Sequence, residues 1–344
     1  MKIIIAILIF SFIIIFHELG HFLFAKKCNV KVNEFTLGLG PTILSWGKGE
    51  TKYCLKLLPF GGSCVMEGED EESDSDRAFS SKTLWERFQI VFAGPFFNFI
   101  LAYILSVVFI AMAGVDKPVL SGVIDDFPAQ EAGLQAGDVI TSLNGYNVHF
   151  YNEISIYNFI HSKGEEIKVT YLRDGEKNSV YIAPKYDEKS GRYMLGVTNS
   201  GVREKVGPLS TIAYGFHEVK YQIYVTLQSL KMLFTKQVSV EEVSGPVGVV
   251  NVISNVYDSS IMDGVKYVVL NLMSIMILLS ANLGVMNLLP FPALDGGRIL
   301  LFIIEGIRGK KMNPEIENGI NLVGFGLLML LMVVVMYNDI MKLI

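Results

Sequence analysis

Residues 3–25 read IIIAILIFSFIIIFHELGHFLFA, an apolar run that takes up His17, Glu18 and His21 near its end. An α-helix rises about 1.5 Å per residue and needs roughly 20 apolar residues to cross the hydrocarbon of a bilayer. The charge-free part, residues 3–17, falls short of that, so the segment spans only if the helix runs on through the ionisable residues to Ala25. Phe22, Leu23 and Phe24 resume the apolar pattern and carry it that far. A removable secretory signal would account for Lys2 and the apolar core, but no small-x-small cleavage pattern precedes Lys26. The segment is read as a retained transmembrane helix, with two histidines and a glutamate inside it.

Further charge-free runs at 88–115, 267–294 and 318–338 are each long enough to span, which makes four. Composition agrees: 51% of the 344 residues are hydrophobic and only 18% charged, an imbalance foreign to soluble domains. A net charge of −5 with no basic tract leaves no nucleic-acid surface. Cys28, Cys54 and Cys64 are odd in number and lack CxxC spacing, so they are read as packing residues, outside any disulfide framework or thiolate metal site. Lys26, Lys27, Lys31, Arg87, Arg308, Lys310 and Lys311 flank the spans on one side. Positive residues near span ends stay in the cytoplasm, which puts residues 116–266 and both termini outside.

The polar segments have their own patterns. TILSW at 42–46 and TKYCLKL at 51–57, joined by the turn GKGE at 47–50, read as a β-hairpin. In its second arm Thr51, Tyr53, Leu55 and Leu57 share one face, and Lys52, Cys54 and Lys56 the other. Pro59, Gly61 and Gly62 end the arm, and the acidic run at 67–76 reads as a solvated linker. From residue 120 to 184 short β-rich runs (VITSL, IKVTYL, NSVYI) alternate with Gly and Asn turns around AGLQAGDVI at 132–140. That signature resembles a circularly permuted bacterial PDZ domain, a fold that offers a sheet edge to peptide termini. Residues 209–234 carry Ile212, Phe216, Val219, Ile223, Leu227 and Leu230 at helical spacing, as an amphipathic helix on a membrane surface would.

HELGH at 17–21 is an H-E-x-x-H motif: on a helix its two imidazoles stand one turn apart on one face and can share a zinc ion. Buried in a span, such polar residues are costly unless paired or coordinating. A catalytic zinc takes three protein ligands. His149, His161 and His217 fall in the outer segment, so the third must be a carboxylate near the cytoplasmic end of another span. Asp295 qualifies, in NLLPFPALDGGR at 287–298, where Pro290 and Pro292 break the third span and free backbone groups that only a lined cavity tolerates. Glu18 suits a general base acting on the attacking water.

Together these features resemble the bacterial site-2 proteases, PDZ-containing intramembrane zinc metalloproteases of the regulator of sigma-E protease type. The likeness covers essentially the whole chain: HELGH, the PFGG segment at 59–62, GPFFN at 94–98, one PDZ-like insert and NLLPFPALDGG. A single PDZ-like signature stands where the best-known member has two. The resemblance implies a metalloendopeptidase (EC 3.4.24) of the bacterial inner membrane with one Zn²⁺ held by His17, His21 and Asp295, Glu18 catalytic, and Asn287 with Asn98 holding substrate backbone. Its partners would be single-span membrane proteins, such as trimmed anti-sigma factors or remnant signal peptides, and the lipid bilayer. An unwound substrate could add to the hairpin edge at Thr51, Tyr53 and Leu55, near Gly61 and Gly62.

The expected fold class is therefore a polytopic α-helical membrane protein. It has helices at 1–25, 88–115, 267–297 and 318–344, a cytoplasmic loop at 26–87 with a membrane-associated β-hairpin, an extracytoplasmic PDZ-like α+β domain at 116–195, an amphipathic region at 196–266 and a cytoplasmic loop at 298–317. Two other classes compete: a silent scaffold binding protein termini through the PDZ-like domain, and a transporter with broken helices. The complete H-E-x-x-H with a third candidate ligand, and the lack of an internal repeat, favour the enzyme.

Overall fold

The computed structural model describes every residue except 1, 48, 70–72, 162, 163, 240–243, 343 and 344, and every described side chain except those of Leu58, Pro59, Phe60 and Pro314. It divides into two compact units, residues 1–105 with 236–344, and residues 106–235.

The first unit opens with α1, Lys2–Lys27, a helix of 26 residues that carries HELGH into its last turns. At about 1.5 Å per residue it is long enough to cross the hydrocarbon. Strands β1 (Val32–Trp46) and β2 (Lys52–Met66) follow, and α2 (Leu84–Ala113) holds Pro95 inside it. The expected hairpin is present, with Thr42, Leu44, Ser45 and Trp46 facing Lys56, Leu55, Cys54 and Tyr53, although Lys48 of its turn lies outside the described residues.

The sheet is larger than a hairpin, because each long strand folds back on itself. Phe35 faces Tyr53 on one side and Cys64 on the other, and Leu37 faces both Leu55 and Gly62. Positive φ at Gly38, Gly40 and Gly61 supplies the bends, a conformation costly to a residue with a β-carbon. The segments therefore lie in the order 62–66, 32–37, 52–55, 42–46. Residues 52–55 are a middle strand, and the edges are 62–66 and 42–46. Cys54 is buried at the centre of this sheet, while Leu57 is 55% exposed.

In the second unit β3 (Gly122–Val123), α3 (Pro128–Glu131), β4 (Val139–Leu143), β5 (Tyr146–Asn147), α4 (Tyr151–His161), β6 (Ile167–Arg173), β7 (Glu176–Ile182), β8 (Lys185–Asp187), β9 (Arg192–Met194) and β10 (Val197–Thr198) precede the 27-residue helix α5 (Pro208–Phe234). The main sheet has the order β5-β4-β6-β7, and β10 pairs with β3, so the domain closes beyond the expected limit at 195. Its core is Leu120, Leu134, Ile140, Leu143, Ile154, Ile167, Val169 and Ile182. Asp138 of the AGLQAGDVI signature is 1% exposed and accepts from Arg173 Nε and Nη2, each at 2.7 Å, and from the Gln135 N–H. Burial alone would raise its pKa; the Arg173 guanidinium overrides that and holds it below the ordinary carboxylate value.

The chain returns to the first unit through α6 (Pro246–Ile261), α7 (Val265–Asn287), α8 (Asp295–Arg308) and α9 (Pro314–Met341). Among the described residues four helices, Lys2–Lys27, Leu84–Ala113, Val265–Asn287 and Glu315–Met341, are long and apolar enough to cross a membrane, and the chain is read as a helical membrane protein. The third span is shorter than expected: α7 stops at Asn287, and Asp295 starts a new helix where a span to 297 and then a loop was expected. Hydropathy passes through that break because Leu288, Leu289, Phe291 and Leu294 are as apolar as the helix before them. The prolines end α7 by withholding N–H groups.

Candidate metal centre and catalytic cavity

α1 places His17 and His21 one turn apart, both 8% exposed, with their Nε2 atoms 3.2 Å apart. Asp295, first residue of α8, brings Oδ2 to 3.3 Å from His17 Nε2 and 3.5 Å from His21 Nε2. Three donors bound at about 2.0–2.1 Å to one tetrahedral zinc stand roughly 3.3 Å from one another, so the triangle has the dimensions of one face of such a site. Asp295 Oδ2 is buried without a hydrogen-bond partner, as a ligand oxygen would be. Among the described residues these three are the group of metal-binding side chains close enough to share an ion.

The outer nitrogens are held as metal ligation requires. His21 Nδ1 lies 2.9 Å from the Ile90 carbonyl; the Nδ1–H donates there and leaves the Nε2 lone pair facing Asp295. His17 Nδ1 is 3.2 Å from the side-chain amide of Asn98, whose Oδ1 is buried and unpartnered when Nδ2 points at the ring. Turning the amide over lets Oδ1 accept the Nδ1–H, satisfying both groups and freeing His17 Nε2 in the same way. Ser280 Oγ donates to the Asn98 carbonyl at 2.8 Å, tying α7 to this shell.

The three donors open onto a cavity of about 440 Å³ lined also by Glu18, Gly62, Ser63, Cys64, Val65, Met66, Glu69, Asn287, Arg298, Asn318 and Asn321. That volume admits water many times over. Glu18 approaches the strand edge closely: a β-carbon on Gly62 would stand 2.9 Å from Glu18 Cγ. Asn321 Oδ1 accepts from the Ala293 N–H at 3.3 Å and braces the turn that delivers Asp295.

The structure thus brings His17, Glu18, His21, Asp295, Asn287 and Gly62 to one cavity, and it places the remaining expected contacts elsewhere. Asn98 is fully buried and turned to His17, away from the space a substrate would fill. Thr51 Oγ1 donates to the Val32 carbonyl at 2.9 Å, an internal tie. Tyr53 packs among Phe22, Phe35 and Trp46, and Leu55 is paired on both sides. Gly61 sits at a bend against Leu39. Two residues of the acidic run are docked, against expectation: Glu67 pairs with Lys31 at 2.9 Å and Glu69 with Arg298, while Asp74 and Asp76 are exposed. Residues 70–72 of that run lie outside the described residues. Glu69, Arg298, Asn318 and Asn321 were not anticipated, because pairings between residues so far apart leave no periodic trace in the chain. Cys28, Cys54 and Cys64 are free.

The model of peptidase family M50 matches residues 5–331. The chain belongs to this family. Relatives of the M50 chain include a provisionally named zinc metalloprotease of Clostridium acetobutylicum, 38% identical over 98% of this chain and 97% of that protein. Zinc metalloprotease RasP of Bacillus licheniformis is 35% identical over 98% of each chain. Regulator of sigma-W protease RasP of Bacillus subtilis is 31% identical over 98% of this chain and 97% of its own. A crystal structure of the PDZ domain of the SdrC-like protein from Listeria monocytogenes aligns with 25% of the chain and 88% of that domain, at 27% identity and a TM-score of 0.23.

Proposed function

We propose that this M50 peptidase hydrolyses peptide bonds in or beside the transmembrane segments of single-span membrane proteins. In this reading His17, His21 and Asp295 hold one Zn²⁺ and Glu18 is the general base and acid. The observation that carries it is the triangle of donors, 3.2, 3.3 and 3.5 Å on its sides, in a cavity shared with Glu18 and an unpaired strand edge. Zinc supplies polarisation of the scissile carbonyl and a more acidic attacking water. Glu18 takes the proton from that water and returns it to the departing amine nitrogen, so the carboxylate ends as it began.

A helical substrate hides its carbonyls in bonds to residues four positions on, so it must unwind before water can attack. Residues 62–66 offer the edge for that step. An extended segment adding there as a strand replaces its lost helical hydrogen bonds and lies along Glu18. Asn287, at the end of α7 on the cavity wall, takes further backbone groups. The zinc site then lies near the cytoplasmic side and the PDZ-like domain outside, screening which substrates approach. Anti-sigma factors already trimmed outside, or leftover signal peptides, fit this requirement, in keeping with the sigma-W name of the Bacillus subtilis relative.

The test uses purified protein in detergent with a single-span reporter. Wild type cuts within the apolar segment and loses activity to a chelator; Glu18→Gln keeps zinc but does not cut. Equal cleavage by the two proteins overturns the assignment.

A further inference from the structure

The third candidate ligand reaches the site on its own helix, far along the chain from the other two, so something must fix where α8 begins. Arg298, one turn after Asp295 and on the same side of α8, forms an ion pair with Glu69 across the cavity. Glu69 is itself tied back to the sheet: its Oε2 accepts from the N–H of Met66, the last residue of β2, at 3.3 Å. The side chains of Arg298 and Glu69 are 21% and 16% exposed, enclosed enough that either charge left alone would be costly. Further along α8, Glu305 pairs with Arg87 of α2 in a buried contact, with the guanidinium 5.0 Å from the Phe302 ring. That second pair borders a separate cavity of about 450 Å³; the first is part of the wall of the cavity that holds Asp295.

We propose that Glu69 and Arg298 are positioning residues for the hydrolysis. Their ion pair is a strut that sets the distance between the edge strand at 62–66, where the substrate lies, and the Asp295 carboxylate. This rests on the proposed protease reading. Loss of the strut lets α8 drift, which loosens the metal triangle and misaligns a substrate that still binds the edge. An error of an ångström at this place costs on the order of a hundredfold in rate, and lost support of a metal ligand costs about 10–100-fold in affinity.

The experiment compares wild type, Glu69→Gln, Arg298→Gln, the double variant and Arg298→Lys as full chains in detergent. It reads kcat and KM on the single-span reporter, and separately the release of Zn²⁺ to a chelating dye. The expected result is a fall in kcat of about tenfold or more in each glutamine variant with KM within about twofold, and zinc released at about tenfold lower chelator concentration. The double variant should be no worse than the worse single, and Arg298→Lys should recover most of the loss. Losses that multiply in the double variant overturn the strut, as do single variants that cut and hold zinc like wild type. The zinc arm needs no turnover, and Glu18→Gln judges the protease reading alone, so the two failures are told apart.

Discussion

A β-carbon on Gly94 would stand 2.2 Å from His21 Nε2 and 2.8 Å from His17 Cε1, so α2 can lie against both imidazoles only with hydrogen at this position. Gly20 does the same from the other helix, where a β-carbon would meet the Ala93 carbonyl oxygen at 2.3 Å. At Gly20 the obstacle is backbone, and at Gly94 it is the two imidazoles themselves, which a β-carbon would push out of place. Gly94→Ala should therefore abolish zinc retention in protein that still inserts and folds, measured by metal analysis after desalting. Asn98→Ala tests the neighbouring contact. It leaves His17 Nδ1–H without an acceptor in a fully buried place and should weaken zinc affinity by about 10–100-fold. The HELGH spacing and the GPFFN motif were legible in the sequence. The direction of Asn98 was not, since one buried amide can face a ligand or a substrate and nothing in its neighbours distinguishes the two.

A proline within an edge strand removes an N–H, and alternate residues of the edge turn theirs outward. One of Cys64→Pro and Val65→Pro should therefore depress cleavage of an intact membrane-spanning reporter much more than cleavage of a short unstructured peptide. Equal effects of both variants on both substrates would remove the strand-addition step. In the second unit, His149 stacks on His217 of α5 with ring centroids 3.6 Å apart, above Glu153 of α4 and near Lys220. Burial first, then Lys220, pushes the His149 pKa below the ordinary value; for His217 the order is burial, His149 and then Lys220, opposed by Glu153. A histidine whose pKa is depressed on folding stabilises the fold fully above its unfolded value near 6.5, and that contribution is lost as pH falls through the folded value. Each pKa unit of depression is worth about tenfold in the local opening equilibrium. Hydrogen exchange of α4 and α5, corrected for intrinsic rates, should therefore show more opening at pH 5.5 than at 7.5, and His217→Phe should flatten the difference.

Across the chain, hydropathy revealed the four spans, because bilayer thickness sets a length that a charge-free run must meet. It did not reveal where the third span stops, since the apolar residues between Asn287 and Asp295 continue the pattern while Pro290 and Pro292 turn the backbone. Asp295 was legible as a candidate ligand only by its place in the chain, and its helix was read as the end of the third span followed by a loop. The sheet was half legible: local pairing across the turn at 47–50 follows from pattern, but the pairing of 32–37 with both 52–55 and 62–66 joins segments that share no local signal. Glu69 and Arg298 were invisible for the same reason. Removing zinc should lower the unfolding midpoint of wild type in detergent, since an ion bound only by the folded state stabilises it, and Glu18→Gln should respond alike. The account stands most directly on the X-ray absorption spectrum of the purified zinc-loaded protein. It predicts one zinc per chain with nitrogen and oxygen neighbours at about 2.0–2.1 Å and the multiple-scattering pattern of two imidazoles. Sulfur at about 2.3 Å, which would bring in Cys64 of the same cavity, or a single imidazole would contradict it.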